Sequence, residues 1–391
     1  MQFNLDKTDS MTRDFQQQID PARLRSLRCL QPGPENWQFR SNATATDCLR
    51  DLASNDYLGL SRHPDVLDAA ARALRSDGLG SGGSRLVTGT RPVHIELEKQ
   101  LASWLGRDRV LLFPSGFQAN IAAVMALVDR HGTVVADRLI HHSLLVGVRA
   151  SGARLKRFAH NDPVDLERCL SGLGPQATPP LVITESLFSM EGSSPDLAAI
   201  GAVCASHNAQ LMVDEAHALG VLGTGGRGLC REMDEPVHLI SGTFGKAFGS
   251  GGAFLASDAE LGERLLQTCG AFRYTTALAP PLAAGAMAAL NLIQDNPGWS
   301  TELIQRSQLW RDALSNHGWA RPAGHGPVLP LVVGADQATL DLQNRLEHQG
   351  LLSVAIRPPT VPEGTARLRL VLRIDLPEDT LNQLLHALPV R

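Results

Sequence analysis

Lys246 sits in "SGTFGKAFGSGG" (residues 241 to 252), between Gly245 and Ala247 and a few residues after an apolar run. An amine held among small residues at a strand end is partly desolvated, which lowers its pKa and lets it condense with a carbonyl as a Schiff base. On this stretch alone, a surface lysine on a glycine loop is the plainer explanation. Asp214 shifts the balance, because it closes the apolar run "LMVD" well upstream of Lys246. A carboxylate at the carboxyl end of a strand points into the crevice where open α/β sheets bind ligands.

An amine and a strand-end carboxylate in one crevice are what pyridoxal phosphate requires. The carboxylate keeps the ring nitrogen protonated, so that the ring acts as an electron sink. His217, three residues after Asp214, is spaced to hydrogen-bond the ring hydroxyl. The "DEAH" run containing both is also the form of a helicase Mg²⁺ box, but that box needs a G-K-[ST] loop upstream, and the chain has none. "FPSGFQAN" (113 to 120) reads as strand, turn and helix start, with the N–H groups of Gly116 and Phe117 free for a phosphate. An ordinary turn with Ser115 as N-cap would look the same. His141, in "RLIHHSLL", follows the strand "TVVAD" and can lie flat on a cofactor ring, and His142 is the less suited of the pair. Ser189, in "TESLFSMEG", follows another strand near the same crevice.

Two G-x-G-x-x-G matches point elsewhere: Gly78, Gly80 and Gly83 in "GLGSGGSRLVTG", and Gly223, Gly225 and Gly228 in "GTGGRG". A dinucleotide turn follows a strand, opens a helix and meets an acidic residue ~20 positions later. The first match follows the helical pattern "PDVLDAAARALRSD", and Glu96 and Glu98 lie inside another helix. The second begins well beyond the strand that ends at Asp214 and opens no clear helix. Both read as tight turns or close backbone approaches.

The elements that must position these residues alternate. Strands are expected at "VLLF", "TVVAD", "RLKRFAH", "PLVITES", "QLMVDEA", "VHLISGTF" and "GGAFLAS", with helices between most of them. That is an α/β fold with a mostly parallel central sheet. Beyond residue 280 long helices and then short strands suggest a smaller α+β domain. The expected division is an N-terminal segment 1–50 with a helix near Pro21 to Leu30, a large domain 51–285 and a small domain 286–391. The 391 residues suffice for that, and a net charge of −4 attracts neither nucleic acid nor an anionic membrane. No apolar run approaches the ~18 residues of a membrane span. The N-terminus has no secretory pattern. Six cysteines without a C-x-x-C pair fit reduced thiols in a cytoplasm, with no metal site.

Taken in order, "SNDYLGL", "GSGGSRLVTG", "SGFQAN", "DRLIHHSLL", "FAHND", "TESLFSMEG", "VDEAHALGVLG", "TFGKAFGSGG", "RYTTALAPP" and "IRPPTVPEGTARLRL" resemble the α-oxoamine synthases. These belong to the fold-type I (aspartate aminotransferase-like) pyridoxal-phosphate enzymes. The resemblance runs from about residue 52 to the C-terminus. It implies Lys246 as Schiff-base lysine and proton shuttle, Asp214 on the pyridinium nitrogen and His141 stacked on the ring. It implies Ser189 and His217 on the phenolic oxygen, and Gly116, Phe117 and Thr243 on the phosphate. Thr275 and Thr276 would reach the phosphate of the neighbouring subunit in a homodimer with shared active sites. Arg369 would grip the amino-acid carboxylate, and Asn55, Thr360 and Arg25 would contact substrates, with other arginines close to Arg25. "GSGGSR" becomes an active-site glycine loop.

The family members most similar are those that join L-alanine to a pimeloyl thioester, carried by CoA or acyl carrier protein, in biotin biosynthesis. Sister members take glycine or serine with another acyl-CoA. Ser84, where 5-aminolevulinate-forming members tend to have threonine, favours the alanine enzymes, whereas Ala218 and Leu219 depart from their pattern. A nucleotide-dependent oxidoreductase and a catalytically silent binding subunit are the rival classes.

Overall fold

The computed structural model of the chain describes residues 20–40, 48–174 and 177–390. Among them a seven-stranded sheet forms the centre, in the order Arg109–Phe113, Ala253–Ser257, Leu239–Thr243, Gln210–Asp214, Leu181–Glu185, Thr133–Asp137, Arg154–Phe158. The five strands from Leu239–Thr243 to Arg154–Phe158 pair in parallel. Thr133–Asp137 and Leu181–Glu185 are buried along their whole length, as parallel strands covered on both faces must be.

Ala253–Ser257 runs antiparallel to both neighbours. Its sequence predicts a strand but not a direction. The segment 244–252 that precedes it is too short for a crossover helix, which needs a dozen or more residues, so the chain turns back as a hairpin.

Helix Gly116–Leu127 starts at Ser115, whose hydroxyl accepts the Gln118 N–H at 3.3 Å. Its small residues allow helix His142–Ser151 to pack closely: a Cβ on Gly147 would stand 3.0 Å from that of Val124. Helix His142–Ser151 then stops on Gly152 at φ 74, the left-handed cap glycine tolerates.

A three-stranded antiparallel sheet (Val328–Gly334, Ala366–Val371, Val354–Ile356) lies in the C-terminal part. The N-terminal segment is not separate from it. Strands Gln31–Pro32, Gln38–Arg40 and Cys48–Asp51 form a second small sheet that Leu351–Leu352 completes in parallel. The boundary expected after residue 285 falls inside helix Pro280–Asp295, which packs along helix Pro64–Asp77.

The helix expected near Pro21 to Leu30 reduces to one 3₁₀ turn, Pro21–Arg23. Its arginines reach outward instead. Arg23 pairs with Asp336 and Glu363, and Arg28 pairs with Glu347, all more than 300 positions away. The first glycine motif caps helix Pro64–Asp77 at Gly78, and no helix follows until Pro92. It is therefore no dinucleotide turn.

Arg373, 2% exposed, joins the N-terminal segment to the last strand region. Its guanidinium faces Asp51 at 3.0 Å, Asp56 at 3.4 Å and Asp375 at 2.8 Å. Removing the cation would leave the carboxylates buried and repelling. Arg373→Met is expected to destabilise the fold by about 3–5 kcal/mol, read as a shift in a urea unfolding curve.

Candidate active site

Parallel strands bring their carboxyl ends to one edge, and the reactive residues sit there. Asp214, Glu185, Asp137 and Thr243 each close their strand, with Glu185 and Asp214 side by side in register. A cavity of about 230 Å³ lies against this edge. It is lined by Lys246, Asp214, His141, His217, Thr243, Gly116 and Phe117, and also by Asn120, Ser143, Glu185 and Ala216.

Lys246 is held among protein groups that push its amine down to about 8. Burial is the main cause; the charge of Asp214 opposes it, and Arg369 adds to it. Asp214 is buried, and both its oxygens are addressed: Asn120 donates at 2.7 Å and the Ala216 N–H at 2.9 Å. Asn120 also donates to Ser143 Oγ at 2.9 Å, which stands 2.7 Å from His141 Nδ1. A hydrogen-bonded chain thus runs from the carboxylate to the imidazole. Burial, more than any neighbouring charge, holds His141 below its ordinary range, so the ring is neutral.

Tyr57 Oη stands 2.6 Å from His217 Nδ1. Burial pushes the phenol up to about 12, so it keeps its proton and donates. His217 is pushed well below its usual range, first by burial and then by Lys246. A neutral ring that accepts at Nδ1 carries its hydrogen on Nε2, as a donor for an anionic oxygen.

The first turn of helix Gly116–Leu127 faces Thr243. A Cβ on Gly116 would lie 3.7 Å from the Thr243 side chain, and one on Gly245 would lie 3.6 Å from its hydroxyl oxygen. Glycine at both positions leaves a cradle beside unpaired N–H groups at the positive end of a helix dipole, which suits a phosphate.

A second cavity of about 610 Å³ shares His141 and opens between Ser189 and Thr360. Ser189 lines this cavity and not the smaller one. Arg369 is 6% exposed, yet among the described residues it has no carboxylate partner. Its Nε donates to the Ser189 carbonyl at 2.6 Å and its Nη2 to Asn55 Oδ1 at 2.8 Å, and the guanidinium also meets the Tyr57 hydroxyl. Arg367 and Arg369 project from one face of strand Ala366–Val371 because side chains alternate along it. Arg25 bonds the Arg357 and Pro358 carbonyls and lies 3.4 Å from Thr360 Oγ1, while Arg23 and Arg28 are taken by carboxylates. Thr275 and Thr276 line neither cavity.

Asn120, Ser143, Glu185 and Tyr57 were not singled out from the sequence. Asn120 is one helical turn beyond Gly116, in a run read only for its phosphate site. Spacing of four residues on a helix start was the available signal.

The aminotransferase class I and II family matches residues 49–388. The chain belongs to that family. Among its relatives, the 8-amino-7-oxononanoate synthase of Pectobacterium atrosepticum is 40% identical over 372 residues, 95% of this chain and 94% of the relative. That of Cellvibrio japonicus is 42% identical over 340 residues, 86% and 85% of the two chains. A solved structure of SPT with PLP superposes with a TM-score of 0.90 at 25% identity, covering 99% of this chain and 97% of the other.

Tyr57→Phe removes the donor that fixes the His217 tautomer. Loss of the hydroxyl, and with it the contact to His217, predicts cofactor affinity weaker by roughly fivefold to tenfold. Equilibrium dialysis against pyridoxal phosphate measures it.

Proposed function

We propose that this protein condenses L-alanine with a pimeloyl thioester to give 8-amino-7-oxononanoate, CO₂ and the free thiol carrier, with pyridoxal 5'-phosphate as cofactor. One observation carries the reading: an amine of lowered pKa and a doubly hydrogen-bonded buried carboxylate share one cavity with a helix N-terminus. The relatives at 40% and 42% identity support alanine and a pimeloyl thioester as substrates.

The residues fit the cofactor. Asp214 would hold the proton of its ring nitrogen. Gly116, Phe117 and Thr243 would cradle its phosphate. His141 would cover the ring, and His217 would donate from Nε2 to the phenolic oxygen, with Ser189 approaching from the adjoining larger cavity. When bound, pyridoxal phosphate supplies a sink for negative charge at the alanine Cα.

Lys246 Nζ moves the proton at that carbon. At pH 7.5 an amine of pKa about 8 is free base in roughly a quarter of molecules, against about a thousandth for an unperturbed lysine. The Arg369 guanidinium holds the alanine carboxylate and so sets which bond at Cα is aligned for cleavage, with Asn55 steadying it. Leu139, Ile140, Leu145 and Val361 give the larger cavity apolar walls for an acyl chain, with Thr360 and Arg25 at its rim.

We further propose a homodimer with shared sites. Leu79, Val87 and Tyr274 stand exposed, and the Ala277 N–H to Gly83 carbonyl bond joins the two segments that carry them. Thr275 and Thr276 lie in this region and would reach the partner's phosphate.

Lys246→Ala is expected to lower turnover on the order of 10⁴-fold or more without loss of fold. Purified protein titrated with L-alanine, glycine and L-serine, then pimeloyl-CoA, should respond most tightly to alanine and release 8-amino-7-oxononanoate. Preference for glycine or serine would overturn the substrate assignment. Lys246 would hold the cofactor through its aldehyde, and only the neutral amine can attack a carbonyl. Reconstitution of apoenzyme should therefore accelerate about tenfold per pH unit below 8 and level off above it, followed by stopped-flow absorbance.

A further inference from the structure

Glu185 has no part in the chemistry above, yet it lies within the site. It is 4% exposed, lines the smaller cavity and is paired in register with Asp214 on the adjacent parallel strand. Two carboxyl groups at one buried strand edge cannot both carry charge cheaply. The donors divide them unequally. Asp214 receives N–H groups on both oxygens, from Asn120 and Ala216. Among the described residues Glu185 receives one, the backbone N–H of His141.

We propose that Glu185 is the proton-bearing partner of the Asp214 anion, a positioning residue. It keeps one negative charge, not two, at this end of the cavity and anchors the backbone of His141. The groups facing it are Asp214, Lys246, Asp137 and His141. Burial, and then Asp214, hold the Glu185 carboxyl well above the ordinary range; Asp137 adds to this, and the His141 N–H and Lys246 oppose it. The inference rests on the cofactor reading only for its consequence at Asp214, because the protonation itself belongs to the apoenzyme.

The test compares Glu185→Gln and Glu185→Leu with the parent protein. A carboxyl whose folded pKa is raised costs stability that is absent below its unfolded pKa and accumulates as pH rises towards its folded pKa. Glu185→Gln lacks that cost. The ratio of its apoenzyme folding constant to that of the parent should climb by up to about tenfold per pH unit above roughly 4.3. A flat ratio overturns the proposal. In protein reconstituted with pyridoxal phosphate, a neutral amide replacing a neutral acid should leave the pH midpoint of the visible band within about 0.3 units. A displacement of about one unit or more would mean that a charge was removed, and would overturn it equally. Glu185→Leu removes the acceptor for the His141 N–H, and should weaken alanine binding at least about tenfold where Glu185→Gln holds within about twofold. If the parent takes up no pyridoxal phosphate, the cofactor reading fails, and the apoenzyme titration still decides Glu185.

Discussion

An amine cannot be kept reactive near neutral pH in water; it must be enclosed, and enclosure needs a counter-charge close by. Lys246 meets both demands at the carboxyl edge of the parallel sheet. The desolvation that lowers its pKa comes from the packed strand ends and the hairpin after Leu239–Thr243. The charge that limits the fall comes from Asp214 on the neighbouring strand. The other site residues build on that pair. Asn120 and Ala216 fix the carboxylate, Ser143 carries the same network to His141, and Tyr57 fixes His217.

The smaller sheets serve this edge from the other side. Arg369 reaches the site because strand Ala366–Val371 presents alternate residues to it, and because Asn55 and the Ser189 carbonyl hold its fork. Asn55 and Tyr57 stand on either side of Asp56, which with Asp51 faces buried Arg373. The N-terminal strands, the Asn55–Tyr57 loop and the residues after the last strand are therefore tied to one cation.

Much of this was legible in the chain. Short apolar runs alternating with helices announce a parallel sheet, and the sheet in turn makes each residue just past a strand a candidate. Lys246, Asp214, His141, His217 and Gly116 are found by that logic, and the structure brings them around one cavity. What escaped depends on partners far away in sequence. The segment after Arg23 leaves the helical path where Asp336, Glu363 and Glu347 hold Arg23 and Arg28, and no local pattern carries that. The direction of Ala253–Ser257 follows from the length of one loop rather than from its residues. Glu185 reads as one more strand-end residue until its register with Asp214 is known.

The central claim is that Lys246 is a tuned amine, and its titration can be observed directly. The chain has four lysines, Lys7, Lys99, Lys156 and Lys246, so side-chain ¹³C-labelled lysine gives few NMR signals, assignable with Lys246→Arg. In the apoenzyme the Lys246 signal should titrate near 8, and lower still in Asp214→Asn, which removes the charge that supports it. A Lys246 signal that titrates in the ordinary lysine range, near 10.4, unmoved by Asp214→Asn, would contradict the account.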